Sequence, residues 1–272
     1  MTVPRLPVLR VSGTPYEIGC QHGSRFAAEI RAFVEDGLGR VNLLRGEPLG
    51  REEAIAVVDR HRVWIEAQLP DLAEEIRGLA AGAGISYSEA MLLQLRRELI
   101  HADTAGCDCT CVGDLDGDGR AVLAQNVDLA GDMAAHALVL QVMPADRSQP
   151  RLCMFTFKGL CGYLGVNSAG LAIGLAMVTA ADWRPGVPPY LLIRHLLGQR
   201  SIDGVLTEIR RIRRASSRYL MVAQGRQVLG IEMTVDDERL LTGTPLVHTN
   251  HFLHPDLLAS EALEDPALTG SR

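Results

Sequence analysis

The chain has 272 residues, 47% of them apolar and only 4% aromatic, with a formal net charge of −6. That length can bury a large core built on Leu, Ile, Val and Ala, and the composition is that of a globular protein rather than a disordered or fibrous one. No block of Lys and Arg tracks phosphates, and MTVPRLPVLRVSG has neither a signal-peptide core nor a bilayer-spanning run, so no nucleic-acid or membrane partner is expected and a cytoplasmic location is.

Val8 to Val11 reads as an opening strand. From Tyr16, apolar Phe26, Ile30, Phe33 and Val34 recur at helical spacing, with Gly37 and Gly39 as stops. A second helix is predicted from Arg51 to Gln68. Pro70 starts a third, since proline suits a first helical turn, and GLAAGAG closes it. Ser86 to Glu89 is a capping signature before another apolar run.

Beyond Cys107 the periodicity changes. CTCVGDLDGDGRAVLAQNVD reads as a hairpin, followed by strand pairs in HALVLQVMP with RLCMFTFKG and in GYLGVNSAGLAIGLAMV. Pro188 to Leu197 and Ile202 to Ile212 are helical, SRYLMVAQGRQVLGIEMT is a hairpin, and PLVHTNHFL follows. Arg210, Arg211, Arg213 and Arg214, the densest basic run, read as a solvated helix face. The order helices, strands, helices, strands predicts an α+β fold with sheets inside and helices outside, in a single domain over 1–272.

Three of the six cysteines fall in GCDCTC, Gly106 to Cys111. In a reducing compartment they need an account other than disulfides. Zinc bound by Cys107, Cys109 and Cys111 with His248, His251 and His254 is one alternative. Against it, thiolates on alternate residues of one strand make a poor tetrahedral arc, and an extended segment would turn His248 and His251 to opposite sides. No Cys-x-x-Cys redox pair exists. Cys20, Cys153 and Cys161 sit in apolar surroundings and read as buried small hydrophobes. DLDGDG imitates half a calcium loop, but Gln125 stands where the closing Glu is required, so a turn is expected.

A nucleophilic cysteine remains. It needs a base, and Cys109 with His251 or His248 would be the protease-like solution. The other is a cut before the cysteine, which makes its own α-amino group the base. Asp128, on the returning strand, would hold that amine, and Asn250 would donate to the oxyanion.

The chain resembles the acyl-coenzyme A:6-aminopenicillanic acid acyltransferase family of cysteine N-terminal nucleophile hydrolases, cousins of the penicillin V acylase and bile salt hydrolase group. The segments that carry the resemblance are SGTPYEIGCQHG, LPDLAEEIRGLAAGAGISYSEAMLLQLRREL, DGRAVLAQNVD, GYLGVNSAGLAIG, GVPPYLLIRHLL, SSRYLMVA and PLVHTNHFLHPD, in family order. It implies an αββα sandwich and self-cleavage between Asp108 and Cys109 into 1–108 and 109–272, two chains that stay associated. GC points to Cys107 and CT to Cys109; Thr110 and the spacing to Asp128 favour Cys109. Asp128 and Asn250 match the amine-side aspartate and the oxyanion donor, while Gln125, Asn126, Thr110 and His251 are supporting or substrate-side candidates. The expected activity is hydrolysis or transfer of the acyl group of small N-acyl amides through a Cys109 thioester. No cofactor or metal is implied, acyl-coenzyme A is a candidate acyl donor, and a homo-oligomer is a candidate assembly. An inactive relative that binds small acyl or amide ligands is the alternative within the family. Relatives continue past the PALTGSR ending into a helix and strands, so a sandwich short of those elements is expected.

Overall fold

The structure is a computed structural model that describes residues 5–100, 109–129, 133–178, 180 and 182–261. In chain order the elements are β1 (Val8–Gly13), α1 (Pro15–Arg25), α2 (Ala27–Glu35), α3 (Arg51–Gln68), α4 (Pro70–Ala83), α5 (Tyr87–Gln94) and α6 (Arg96–Ile100). The first hairpin is β2 (Cys109–Leu115) and β3 (Ala121–Val127), followed by β4 (Ala137–Pro144), β5 (Leu152–Phe157), β6 (Leu164–Asn167) and β7 (Ala172–Ala176). Helices α7 (Pro189–Leu196) and α8 (Ile202–Arg211) precede β8 (Arg218–Gln224), β9 (Gln227–Met233), β10 (Glu238–Leu241) and β11 (Leu246–His248).

Local chemistry explains most boundaries. Thr14 and Ser86 cap α1 and α5 with full capping boxes, each hydroxyl accepting from the N–H three residues on while Glu17 or Glu89 reaches back. The helix predicted from Tyr16 is broken at Phe26, whose backbone (φ −123°, ψ 28°) leaves the helical region and separates α1 from α2. Gly37 and Gly39 do stop the run, in a left-handed turn that also draws Leu38 and Arg40 to positive φ. GLAAGAG closes α4 as expected, the helix running to Ala83 before the last of the three glycines. Gly78 and Gly82 lie on the helix face against α1, opposite Gly19 and Gly23, where an added Cβ on any of the four would strike a backbone carbonyl oxygen of the other helix. Only Gly84, at φ +69°, caps the end.

Among the described residues two sheets form. The larger runs β1-β4-β5-β6-β7-β8-β9-β10, antiparallel except for the parallel β1–β4 pair, and the smaller runs β11-β2-β3. Strand alternation assigns the faces of the large sheet. On β8, Leu220 and Val222 join the helices in the main core, while Tyr219, Met221 and Ala223 turn toward Cys109 and Cys111 of the small sheet. The result is an α+β fold with two sheets face to face and helices outside the larger one, consistent with the αββα arrangement. No helix among the described residues is long and apolar enough to cross a membrane.

The basic run is not one solvated face. Arg210 and Arg211 are exposed partners of Glu238 and Glu208, whereas Arg214 is buried and donates to the carbonyls of Thr234, Ile209 and Asp237. The chain leaves α8 at Ile212 and turns inward, which carries Arg214 off the helix surface. DLDGDG is the turn it was expected to be, with Asp116 Oδ1 accepting from the N–H groups of Asp118 and Arg120.

Candidate active site

Cys109 is the first residue of β2, the central strand of the small sheet. Residues 109, 111 and 113 point toward the large sheet, and Cys109 is 4% exposed. Its backbone N–H donates to Asn250 Oδ1 at 2.8 Å, and Asn250 Nδ2 donates to the Met177 carbonyl at 2.9 Å. Asn250 is itself buried, so one side chain, 141 residues away in sequence, fixes the nitrogen that precedes the thiol.

The other face of the hairpin is solvated. Thr110 N–H donates to Asn126 Oδ1 at 2.9 Å, and Asn126 Nδ2 donates to Asp128 Oδ2 at 3.4 Å. Asp128 is exposed and lies one residue past Val127, the register partner of Cys109. It therefore lies beside the start of β2 on the solvated face of the hairpin rather than on the thiol face. Cys107 and Asp108 lie outside the described residues.

Gln125 faces inward. Its Oε1 accepts from Leu175 N–H at 2.9 Å and its Nε2 donates to Leu175 C=O at 2.6 Å. Strand β6 pairs with β7 only as far as Gly165 with Ile173, so Leu175 lies beyond its reach and the Gln125 amide substitutes for the missing strand. Gly174 leaves room for it, since a Cβ there would lie 2.8 Å from Gln125 Oε1. Gln125→Leu leaves both Leu175 groups without that partner. The expected cost is about 2–4 kcal/mol, measured by urea unfolding.

Cys111 donates its S–H to the Leu175 carbonyl at 3.3 Å. Burial first, and the neighbouring Cys109 second, push its thiol up to about 12, so it is held as a thiol at neutral pH. Cys161 is buried as expected, while Cys20 and Cys153 are only half-buried.

His248 does not form a dyad with cysteine here. Its Nδ1 meets the Thr249 carbonyl at 2.7 Å, its Nε2 meets Glu232 Oε1 at 2.7 Å, and its ring stacks on Tyr219 at 3.5 Å. His251 bonds Thr249 Oγ1 through Nδ1 at 3.0 Å, and its ring lies 6.4 Å from that of His248 on the same side. Alternation fails because β11 ends at His248 and the chain turns. Among the described residues no group of three or more His, Cys, Asp or Glu could hold a metal ion.

Two features were not foreseen in the sequence. Glu232 is a fully buried acid in the β9 run QVLGIEM, where a charge among apolar neighbours was the available signal. Glu98 of α6 is buried beside Ser216 and Arg218, and Arg218 Nε and Nη2 have no hydrogen-bond partner among the described residues. Burial raises the Glu98 carboxyl to about 7, against the opposing pull of Arg218, its own backbone, Ser216 and Arg97. Between pH 4.5 and about 7 the folded carboxyl keeps a proton that the unfolded chain has lost. Its stabilisation is thus full below 4.5 and disappears as pH rises through about 7, a loss of about 3 kcal/mol. Glu98→Gln cannot ionise, so its Tm should fall less than that of wild type between pH 5 and 8, as calorimetry at both pH values will show.

Comparison with known proteins follows the same lines. A 40 kDa form of acyl-coenzyme A:6-aminopenicillanic-acid-acyltransferase from Emericella nidulans is 29% identical over 248 residues, covering 89% of this chain and 68% of its own. An uncharacterized protein of Archaeoglobus fulgidus is 25% identical over 214 residues, 66% of this chain and 34% of its own. Penicillin V acylase from Agrobacterium tumefaciens superposes over 51% of this chain and 41% of its own with a TM-score of 0.30 and 10% identity, too slight a likeness to support an argument. The family profile described as acyl-coenzyme A:6-aminopenicillanic acid acyl-transferase matches residues 115–265, beginning just past the thiols. Matched over more than half its length, the chain belongs to that family.

Proposed function

We propose that the protein is a self-processing cysteine acyltransferase or amidohydrolase acting on small N-acyl amides, with Cys109 as nucleophile. The observation that carries this is the grip of Asn250 on the backbone nitrogen of Cys109, in a member of an acyl-transferase family. In the first step the Cys109 thiol attacks the carbonyl carbon of residue 108. A C–S bond forms, the C–N bond breaks, and the nitrogen takes up a proton to become an amine. Water then hydrolyses the thioester, leaving the Asp108 carboxylate and a free Cys109 thiol.

In turnover the new amine takes the thiol proton as sulfur adds to the substrate carbonyl. An amide Nδ2 carries two N–H groups, and one of those of Asn250 is on Met177, which leaves one for the oxyanion. Collapse of the tetrahedral adduct passes the proton to the departing amine and leaves an acyl-thioester. Water or a second amine then takes the acyl group, with an acyl-coenzyme A as a further acyl donor in the transferase direction. Asp128, one residue past the register partner of Cys109, is the acid we assign to the amine.

Intact mass of freshly purified protein tests the reading. Two chains of 108 and 164 residues are expected, and a chain that stays whole while turning over amides at full rate would overturn it.

A further inference from the structure

We infer that Glu232 and His248 form a positioning pair that sets Asn250, and through it the Cys109 nitrogen, in register for acyl transfer. The inference rests on the self-processing reading above. Its observation is separate: one buried carboxylate collects the two ends of a single turn. Glu232 Oε1 accepts from His248 Nε2 at 2.7 Å and from Leu253 N–H at 2.6 Å, while Oε2 accepts from His254 N–H at 3.0 Å. Residues 248 and 254 are therefore tied to one side chain, and Asn250 lies between them.

The proton positions follow from the partners. The Thr249 carbonyl can only accept, so His248 Nδ1 carries a hydrogen. Nε2 shares a second proton with Glu232, which two backbone N–H groups favour as the carboxylate. The imidazole lies flat on Tyr219, 5° from parallel, and Phe252 is fully buried in the core that holds Cys109. The turn thus has no freedom to slide. Asn250 reaches from its middle to two fixed backbone atoms, Cys109 N and Met177 O.

A charge at this place is costly, because an apolar side chain would fill the same inter-sheet space without desolvation. What an apolar residue could not do is accept three N–H donors at once and so define one conformation of the turn. The ionisable groups around the pair are Tyr219 on β8, Cys111 opposite His248 on β2, Arg239 opposite Glu232 on β10, and His251 and His254 in the turn. Arg239 is held outward by Asp256, and the buried Cys111 thiol is turned to the Leu175 carbonyl.

The test compares first-order rates of self-cleavage, followed by intact mass, for refolded variants with wild-type near-ultraviolet circular dichroism. Glu232→Gln has one acceptor oxygen where three donors converge, so one backbone N–H is abandoned in either amide orientation. It should cleave 10- to 100-fold more slowly. His248→Gln retains a side-chain N–H for the carboxylate and should be slowed at least fivefold less than His248→Leu. This rescue is a contrast that a purely structural role would not produce. Should Glu232→Gln fail to fold, the two His248 variants decide. Natively folded Glu232→Gln or His248→Leu that splits at the wild-type rate would overturn the inference. A wild-type chain that never splits would instead overturn the self-processing reading, and the role of the pair with it.

Discussion

Cys109→Ala is expected to purify as one polypeptide of 272 residues, with acyl turnover lower by about four orders of magnitude or more. The substitution removes both the atom that would open the peptide bond before it and the atom that would carry the acyl group. Packing alone costs little, because an alanine fits where the thiol does at the start of β2. Two controls separate chemistry from structure. Cys107→Ala should still split, since the nucleophile we propose lies two residues on. Cys111→Ala should also split, because its thiol is raised by burial and bonded to Leu175. Electrophoresis and intact mass read all three, and a Cys107→Ala protein that alone stayed whole would move the nucleophile to that position.

Asn250→Ala is expected to lower kcat by about 10²–10³, the loss typical of one side-chain oxyanion donor, equivalent to about 2.7–4 kcal/mol. KM should change less, since the donor acts on charge that develops only in the transition state. The same variant frees the Cys109 N–H from its 2.8 Å acceptor, so slower self-cleavage is expected as well. Steady-state kinetics on a chromogenic N-acyl anilide, with the extent of cleavage measured in the same sample, checks both effects. A kcat within threefold of wild type in fully cleaved Asn250→Ala would remove Asn250 from the reaction.

The elements legible in the sequence were those whose cause is local. The Ser86 to Glu89 box and the hairpin alternation of β2 with β3 each depend on a few neighbouring residues. The parallel pairing of Val8 with Val139 does not, because both strands find their register only when the helices pack. Gly78 and Gly82 serve a contact that is equally invisible locally. Their place in the closing GLAAGAG does not show that a second glycine pair, 59 residues earlier on another helix, packs against them, as Gly19 does against Gly78. At the site, Cys109, Asn250 and Asp128 were singled out from residue chemistry and family resemblance, and the structure joins the first two by a hydrogen bond. Gln125 was read as supporting or substrate-side, and its bonds to Leu175 were not foreseen because nothing in its neighbourhood shows that β6 ends short of that residue. Glu232 was missed because its three partners lie 16 to 22 residues away.

The turn that closes the β2–β3 hairpin has a practical use. Gly117 sits at its tip with open space around the position a Cβ would take, and Cys109 begins the strand at the opposite end, eight residues or about 26 Å away at about 3.3 Å per residue. An epitope or purification tag inserted at Gly117 would hang in solvent and leave the pairing of the two strands in step. By contrast, a single residue added within 109–115 would turn the thiol out to water. The hairpin thus offers a handle for isolating the polypeptide that carries Cys109.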